Sequence, residues 1–228
     1  MRQFAVIGLG RFGYSVAETL TKKGYEVLAI DQDEAKIEAA SDFATYAVQC
    51  DATDMKALKA VSTQNVDVAV VSIGEDIEAS ILIVMTLKEM GIGQIIAKAV
   101  TPIHGRILMN LGVTEVIFPE RDAAIRLAHR LIAPNVLEYL ELSPGYSIEE
   151  IAVPLKMAGK KLKESQIRTL FGVNVIAMKK KVARMVKGTV KTEEIFNVSP
   201  SAEDILEKGD ILVIVGREED LERFSKLE

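Results

Sequence analysis

At 228 residues, with 49% hydrophobic residues and no low-complexity tract, the chain is long enough for two domains and can bury a sizeable core. Its 28 Lys and Arg against 33 Asp and Glu, with a pI near 5.3, argue against nonspecific affinity for nucleic acid or anionic lipid as a main role. The single Cys50 rules out an intramolecular disulfide, the opening "MRQFAVIG" lacks signal-peptide features, and an apolar run such as "ILIVM" at 81–85 is far below the roughly 20 residues of a membrane span, so a reducing cytoplasm is expected.

Short apolar runs recur through the first 120 residues: "FAVIG", "EVLAID", "YAVQCD", "DVAVVSIG", "QIIAKAV" and "EVIFPE", each followed by helical spacing. This alternation predicts a parallel sheet with crossover helices, buried on both faces. Six such strands predict a Rossmann-like, doubly wound α/β fold, in which ligands sit beyond the carboxyl ends of the strands where strand order reverses.

From Pro119 the sequence "ERDAAIRLAHRLIAPNVLEYLEL" predicts a helix opened by that proline and closed before Pro134. Ala124, Leu127, Ala128 and Leu131 form one apolar stripe, and Ile125 and Ile132 lie off it. Two apolar faces imply either two partners, the sheet and a second copy of the chain, or one wide stripe on a well-buried helix. "LSPGYS" at 142–147 reads as a linker or turn. The expected division is a nucleotide-binding domain over 1–133, a linker over 134–147, and a small α+β domain over 148–228. That last domain holds "SIEEIAVP", "VNVIAMKKKVARMV", "EEIFNVS" and "DILVIVG", with a turn at "KGD" and a closing helix at "REEDLERFSKL". A mostly antiparallel sheet is expected there, with no glycine fingerprint. The basic run 179–191 holds six Lys or Arg and reads first as a solvated hairpin, with anion binding as the alternative.

Gly8, Gly10 and Gly13 follow a strand and open a helix in the spacing G-x-G-x-x-G. The first permits the turn, the second lets a pyrophosphate approach the backbone, and the third lets helix and strand pack closely. The following helix directs unpaired N–H groups and its positive dipole end at phosphate. Asp31 ends the next strand, 18 residues beyond Gly13, where a carboxylate accepts from a ribose diol and repels a 2′-phosphate. Asp51 is placed to accept from an adenine amino group, or else it or Thr53 caps the helix at 54–60. Ala52 is counted with this end of the site, Ser72, Ile73 and Gly74 line the ligand's middle, and Lys98 ends the fifth strand. Cys50 reads as a small buried hydrophobe.

Arg11, beside Phe12 in the glycine loop, adds a full charge and a fork suited to phosphate oxygens, unless it is only a solvated helix residue. Glu120 is either a favourable acid at a helix start or a carboxylate at the pocket rim that binds a cation shared with phosphate. A dehydrogenase would need an acid–base, and the only histidines, His104 and His129, read as helix-surface residues outside any catalytic constellation. No Cys/His cluster has metal-ligand spacing, and there is no G-x-S-x-G elbow. A nucleotide pocket without a substrate site suggests a sensor rather than an enzyme.

Taken together, "FAVIGLGRFG", "VLAID", the acid in "CDATD", "VSIGEDIEAS", "VIFPERD" and "LFGVNVIAMKK" resemble the cytosolic gating subunits of Trk/Ktr potassium-uptake systems, the RCK (or KTN) family. The resemblance covers nearly the whole chain and implies an RCK N-terminal domain to about residue 133, a crossover, and an RCK C-terminal domain. It implies ATP, ADP or NAD(H) in the N-terminal domain, homodimers building an octameric ring, and docking from the cytoplasm on a membrane-embedded potassium-translocating subunit. It further implies that Arg11 meets the terminal phosphate of ATP across the dimer, that Glu120 lies in the same region with a bound cation, and that the C-terminal domain of some members takes cyclic di-AMP. The stretch from Val182 to Ser199 is longer than the compact hairpin expected for that last site. The competing readings are a free-standing NAD(H) redox sensor and an NAD-dependent oxidoreductase.

Overall fold

Short strands and helical crossovers alternate through the first half of the computed structural model, which describes residues 2–132, 135–186 and 189–227; the central strands are buried, as expected, but the edge strands at 46–49 and 115–117 hold no buried residue. The elements are β1 (Gln3–Ile7), α1 (Arg11–Lys22), β2 (Glu26–Asp31), α2 (Glu34–Ser41), β3 (Tyr46–Gln49), α3 (Met55–Ala60), β4 (Val68–Val71), α4 (Ile77–Glu89), β5 (Gln94–Lys98), α5 (Pro102–Asn110) and β6 (Glu115–Ile117). All six strands pair in parallel, in the order β3-β2-β1-β4-β5-β6. The order reverses between β1 and β4, which opens a crevice at their carboxyl ends.

Both sheet faces are covered because successive side chains alternate. Ala5 and Ile7 of β1 pack on one side with Ile30, Val71 and Ile95 beneath Leu58, Ile83, Leu87 and Leu108 of α3, α4 and α5. Val6 turns to the other side, with Val27, Ala29 and Val70 beneath Ala17 of α1 and Ala40 of α2. Each fully buried Leu or Ile there contributes about 1.5–3 kcal/mol by leaving water.

The chain divides into two compact units, Met1–Glu120 and Arg121–Glu228. Beyond β6 come α6 (Pro119–Ile132), β7 (Val136–Ser143), β8 (Tyr146–Ala152), the short helices α7 (Leu162–Ser165) and α8 (Ile167–Phe171), β9 (Asn174–Val186), β10 (Thr189–Asn197), β11 (Ile211–Arg217) and α9 (Glu218–Ser225). The second sheet runs β10-β9-β11-β8-β7, every pair antiparallel. Its core sets Ile151, Met178, Leu212 and Ile214 against Leu221 and Phe224 of α9. Phe171 meets Phe224 edge to face, with ring centroids 5.3 Å apart.

Three local expectations change. Residues 136–143, within the stretch read as a linker, form β7, and "LSPGYS" is the turn of the β7–β8 hairpin, with Gly145 at φ +80°. The α6 helix has no buried residue, so it is not the well-buried helix with one wide stripe: Leu127 is 53% exposed and Leu131 73%. His104 is not a surface residue but 1% exposed, on the inward side of α5. The 179–191 run contributes backbone to the β9–β10 hairpin, as read, but Lys187 and Gly188, like the expected helix stop at Pro134, lie outside the described residues.

Candidate functional site

The glycine loop joins β1 to α1 and is shaped by two close approaches. Gly8 has φ +90°, a backbone conformation that side chains disfavour. A Cβ on Gly13 would collide with the Gly8 carbonyl oxygen and lie 2.9 Å from Ser72 Oγ, so only glycine lets α1 pack onto the loop and β4. The four helices α2 to α5 of the same sheet each begin on a side-chain cap: Asp33, Asp54, Asp76 and Thr101 accept from Ala35, Lys56, Ala79 and His104 amides, respectively. The α1 helix begins instead on Gly10 with no side-chain cap and no acid in its first turn. Its leading amides and the positive end of its dipole are left to an outside anion.

A cavity of about 820 Å³ opens over this loop, at the carboxyl ends of the parallel strands. The structure brings together there Gly8, Gly10, Arg11 and Phe12 from the loop, Asp31 and Ala52 at the β2–β3 end, Ser72, Ile73 and Gly74 after β4, and Lys98 and Glu120 at the β5–β6 end. Gly13 and Asp51 do not line it. Gly13 acts on the site through packing. Asp51 Oδ1 is taken by the Thr53 amide at 2.9 Å, the Thr53 hydroxyl at 2.6 Å and Gln32 Nε2 at 3.2 Å, and these bonds, the Thr53 hydroxyl first, hold its pKa below the usual carboxylate range. The cap of α3 is Asp54, not Asp51 or Thr53.

Asp31 also has an internal task. Its Oδ2 accepts from the Leu9 amide at 2.6 Å and its Oδ1 from the Asp33 amide at 2.9 Å, so the carboxylate ties the glycine loop to β2. Lys36 Nζ donates to both oxygens as well, so the roughly four acceptor positions of the carboxylate are engaged and a diol would have to displace the lysine, the longest of these contacts. Lys36 Nζ stands 3.4 Å from Asp31 and lines the same end of the cavity. Sequence reasoning missed Lys36; the signal was its place on the first turn of the helix that Asp31 precedes. It also missed Gln32 and Val100 in the lining.

Arg11 is exposed, lines the cavity, and makes no ion pair among the described residues. Lys98 Nζ donates to Glu120 Oε1 at 2.6 Å, and that bond is the main reason the Glu120 pKa lies below its usual value. Ser72 is 8% exposed and its buried Oγ has no protein partner. An uncapped helix, a loop that tolerates no Cβ at Gly13 and an orphaned hydroxyl in one crevice fit the phosphates of a nucleotide. A cation held by protein alone does not fit: among the described residues no three His, Cys, Asp or Glu side chains converge, and Lys98 already engages Glu120.

Neither histidine lines the cavity. Burial depresses the His104 pKa, and neither ring nitrogen has a partner. His129 stacks on Tyr139 at 4.0 Å. Cys50 lines the β3 end, 9% exposed, with its thiol pKa raised by burial first and by Asp51 and Asp54 after it.

A family model of the TrkA-N domain matches residues 4–119, and one of the TrkA-C domain matches 148–228. The chain is 40% identical over 225 residues to Ktr system potassium uptake protein C of Bacillus subtilis, covering 99% of this chain and 96% of that protein. It is 37% identical over 224 residues to Ktr system potassium uptake protein A of the same organism, covering 98% and 96%. Among solved structures, the GsuK channel superposes with a TM-score of 0.64 over 99% of this chain and 39% of that one, at 18% identity, a likeness of fold.

Proposed function

This chain belongs to the family built from a TrkA-N and a TrkA-C domain, shared with the Ktr potassium-uptake proteins, and from that premise we propose that it is a nucleotide-sensing regulatory subunit gating a membrane potassium transporter. The observation that carries the nucleotide part is the crevice itself: an uncapped α1, a loop closed to a Cβ at Gly8 and Gly13, and Arg11, which has no ion pair among the described residues, lining one cavity.

On this reading Asp31 fixes the ribose, the α1 amides and Gly10 take the pyrophosphate, Ser72, Ile73 and Gly74 support the middle, and Asp51 and Ala52 shape the adenine end. Gly8 and Gly13 keep the loop in form, Phe12 walls it, and Arg11 with Lys98 and Glu120 responds to what lies past the second phosphorus. ATP and ADP are the proposed ligands and NAD(H) the alternative, with any cation brought in on the phosphates rather than caged by protein. The chain performs no bond chemistry: the groups in the crevice bind and orient. The subunit works at the cytoplasmic face of the membrane, in a ring of dimers against its translocating partner. Among the described residues no helix is long and apolar enough to cross a membrane. Gating requires that tri- and diphosphate prefer different ring geometries, since a ligand of equal affinity for both shapes shifts nothing.

Calorimetric titration of the purified protein with ATP, ADP and NADH tests the reading. Arg11→Ala is expected to weaken ATP by about 10- to 100-fold, the worth of a charge-assisted bond of about 1.5–3 kcal/mol, and to change NADH by far less. Equal losses for both would remove the terminal-phosphate role, and tight NADH with no ATP binding would favour the redox sensor.

A further inference from the structure

The positive charge at the β5–β6 end of the crevice is built into the chain. The stem of Lys98 crosses Gly74, where an added Cβ would lie 3.3 Å from Lys98 Cε, and its side chain is only 14% exposed. Its ammonium, with three donors, has one partner among the described residues, Glu120 Oε1 at 2.6 Å. Glu120 is the opposite kind of partner: its side chain is 70% exposed, on the first turn of α6. A mostly buried cation is thus held by a carboxylate that solvent and ligands can reach.

The order of groups across the sheet decides what meets this pair. Asp31 stands at β2, the glycine loop at β1, Ser72 to Gly74 after β4, Lys98 at β5, and Glu120 after β6. A nucleotide held by its ribose at Asp31 and its pyrophosphate at the loop sends toward Lys98 whatever follows the second phosphorus. In a nucleoside triphosphate that is another anion. In a pyridine dinucleotide it is a second nucleoside, with no anion to offer.

Resting on the nucleotide reading above, we propose that the Lys98–Glu120 ion pair is a latch opened by a terminal phosphoryl group. The phosphoryl oxygens take Lys98 Nζ in place of Glu120, whose carboxylate is released at the start of α6. Lys98 is therefore the residue that separates triphosphate from diphosphate and from dinucleotide within one subunit, and Glu120 competes with the ligand for it. This sets the sign of Glu120: without a divalent cation its carboxylate opposes the incoming phosphate, so neutralising it strengthens binding.

The test is calorimetry in chelator, without divalent cations, using full-length wild type, Lys98→Gln, Lys98→Arg and Glu120→Gln titrated with ATP, ADP and NADH. The expected result is a loss of about tenfold or more in ATP affinity for Lys98→Gln, with ADP and NADH within about twofold, retention of the ATP preference in Lys98→Arg, and a gain of about three- to tenfold for ATP alone in Glu120→Gln. Equal losses for all three ligands in Lys98→Gln, or weaker ATP binding in Glu120→Gln, overturn the latch. Should Lys98→Gln fail to fold, as judged by circular dichroism, the sign of the Glu120→Gln effect decides. Wild type that binds none of the three ligands defeats the nucleotide reading itself, whereas wild type that binds ATP with variants of unchanged ligand ratio defeats only the latch.

Discussion

Two glycines of the loop separate fold from binding at the level of single residues. A methyl group at Gly13 has no room against Gly8 and Ser72, so Gly13→Ala is expected to lower stability by about 1–3 kcal/mol or more, as overpacking does. Gly10 has φ −63° and nothing within 4 Å of an added Cβ, so Gly10→Ala costs no more than about 1 kcal/mol, the difference between these residues at a helix start. The same methyl stands where the backbone would meet pyrophosphate, and nucleotide affinity is expected to fall about tenfold or more. Thermal melts and calorimetry on the two variants check this crossed pattern. The spacing of these glycines and the acid at Asp31 were readable because each follows from local geometry. The Lys98–Glu120 contact was not, since its partners stand on different elements and meet only through the β5–β6 pairing. Nor was the tie from Asp31 to the Leu9 amide, because the residue type that suits a ribose also suits a loop anchor.

β8 carries the clearest pH consequence among the elements. Glu149 is 8% exposed, paired in register with Tyr139 of β7 and Ile214 of β11. Burial first and the Glu218 carboxylate second push its pKa up to about 7. Glu218, on α9, accepts from the Tyr139 hydroxyl at 2.8 Å, and His129 stacks on the same tyrosine. Burial and the neighbouring Glu218 raise the Tyr139 pKa as well. Between the ordinary value of 4.5 and about 7, the folded unit holds a proton on Glu149 that the unfolded chain has released. Its contribution is full below that window and is lost as pH rises through it, about 3 kcal/mol in all. Glu149→Gln should therefore flatten the pH dependence and be the more stable form above pH 7, which denaturant melts from about pH 5 to 8.5 would reveal. β7 beside it eluded sequence reasoning for a stated reason: irregularities between Val136 and Glu138 and between Glu141 and Ser143 break the two-residue alternation. They leave Val136 and Tyr139 buried three apart, the spacing of a helix. His104 was misread for a related reason, since a histidine between Ile103 and Gly105 at a helix start gives no sign of which side it faces.

For the whole molecule, separate cores in Met1–Glu120 and Arg121–Glu228 imply separate responses. Scanning calorimetry is expected to resolve two transitions rather than one. ATP at about 100 times its dissociation constant should stabilise the first unit by about 2.7 kcal/mol, while Glu149→Gln moves the other; a ligand that shifts both together would mean the units unfold as one. The parallel half was the more legible because one pattern, apolar strand then helical crossover, repeats five times before the sixth strand, whereas the second half mixes hairpins, bulges and helices of four and five residues. One further feature gives the chain a reporter of its own. Cys50 is the sole thiol in the sequence and borders the β3 end of the crevice, so an alkylating dye can mark one place only. Its labelling rate becomes a clock for how often that doorway stands open, and an occupant should slow the clock without any engineered probe.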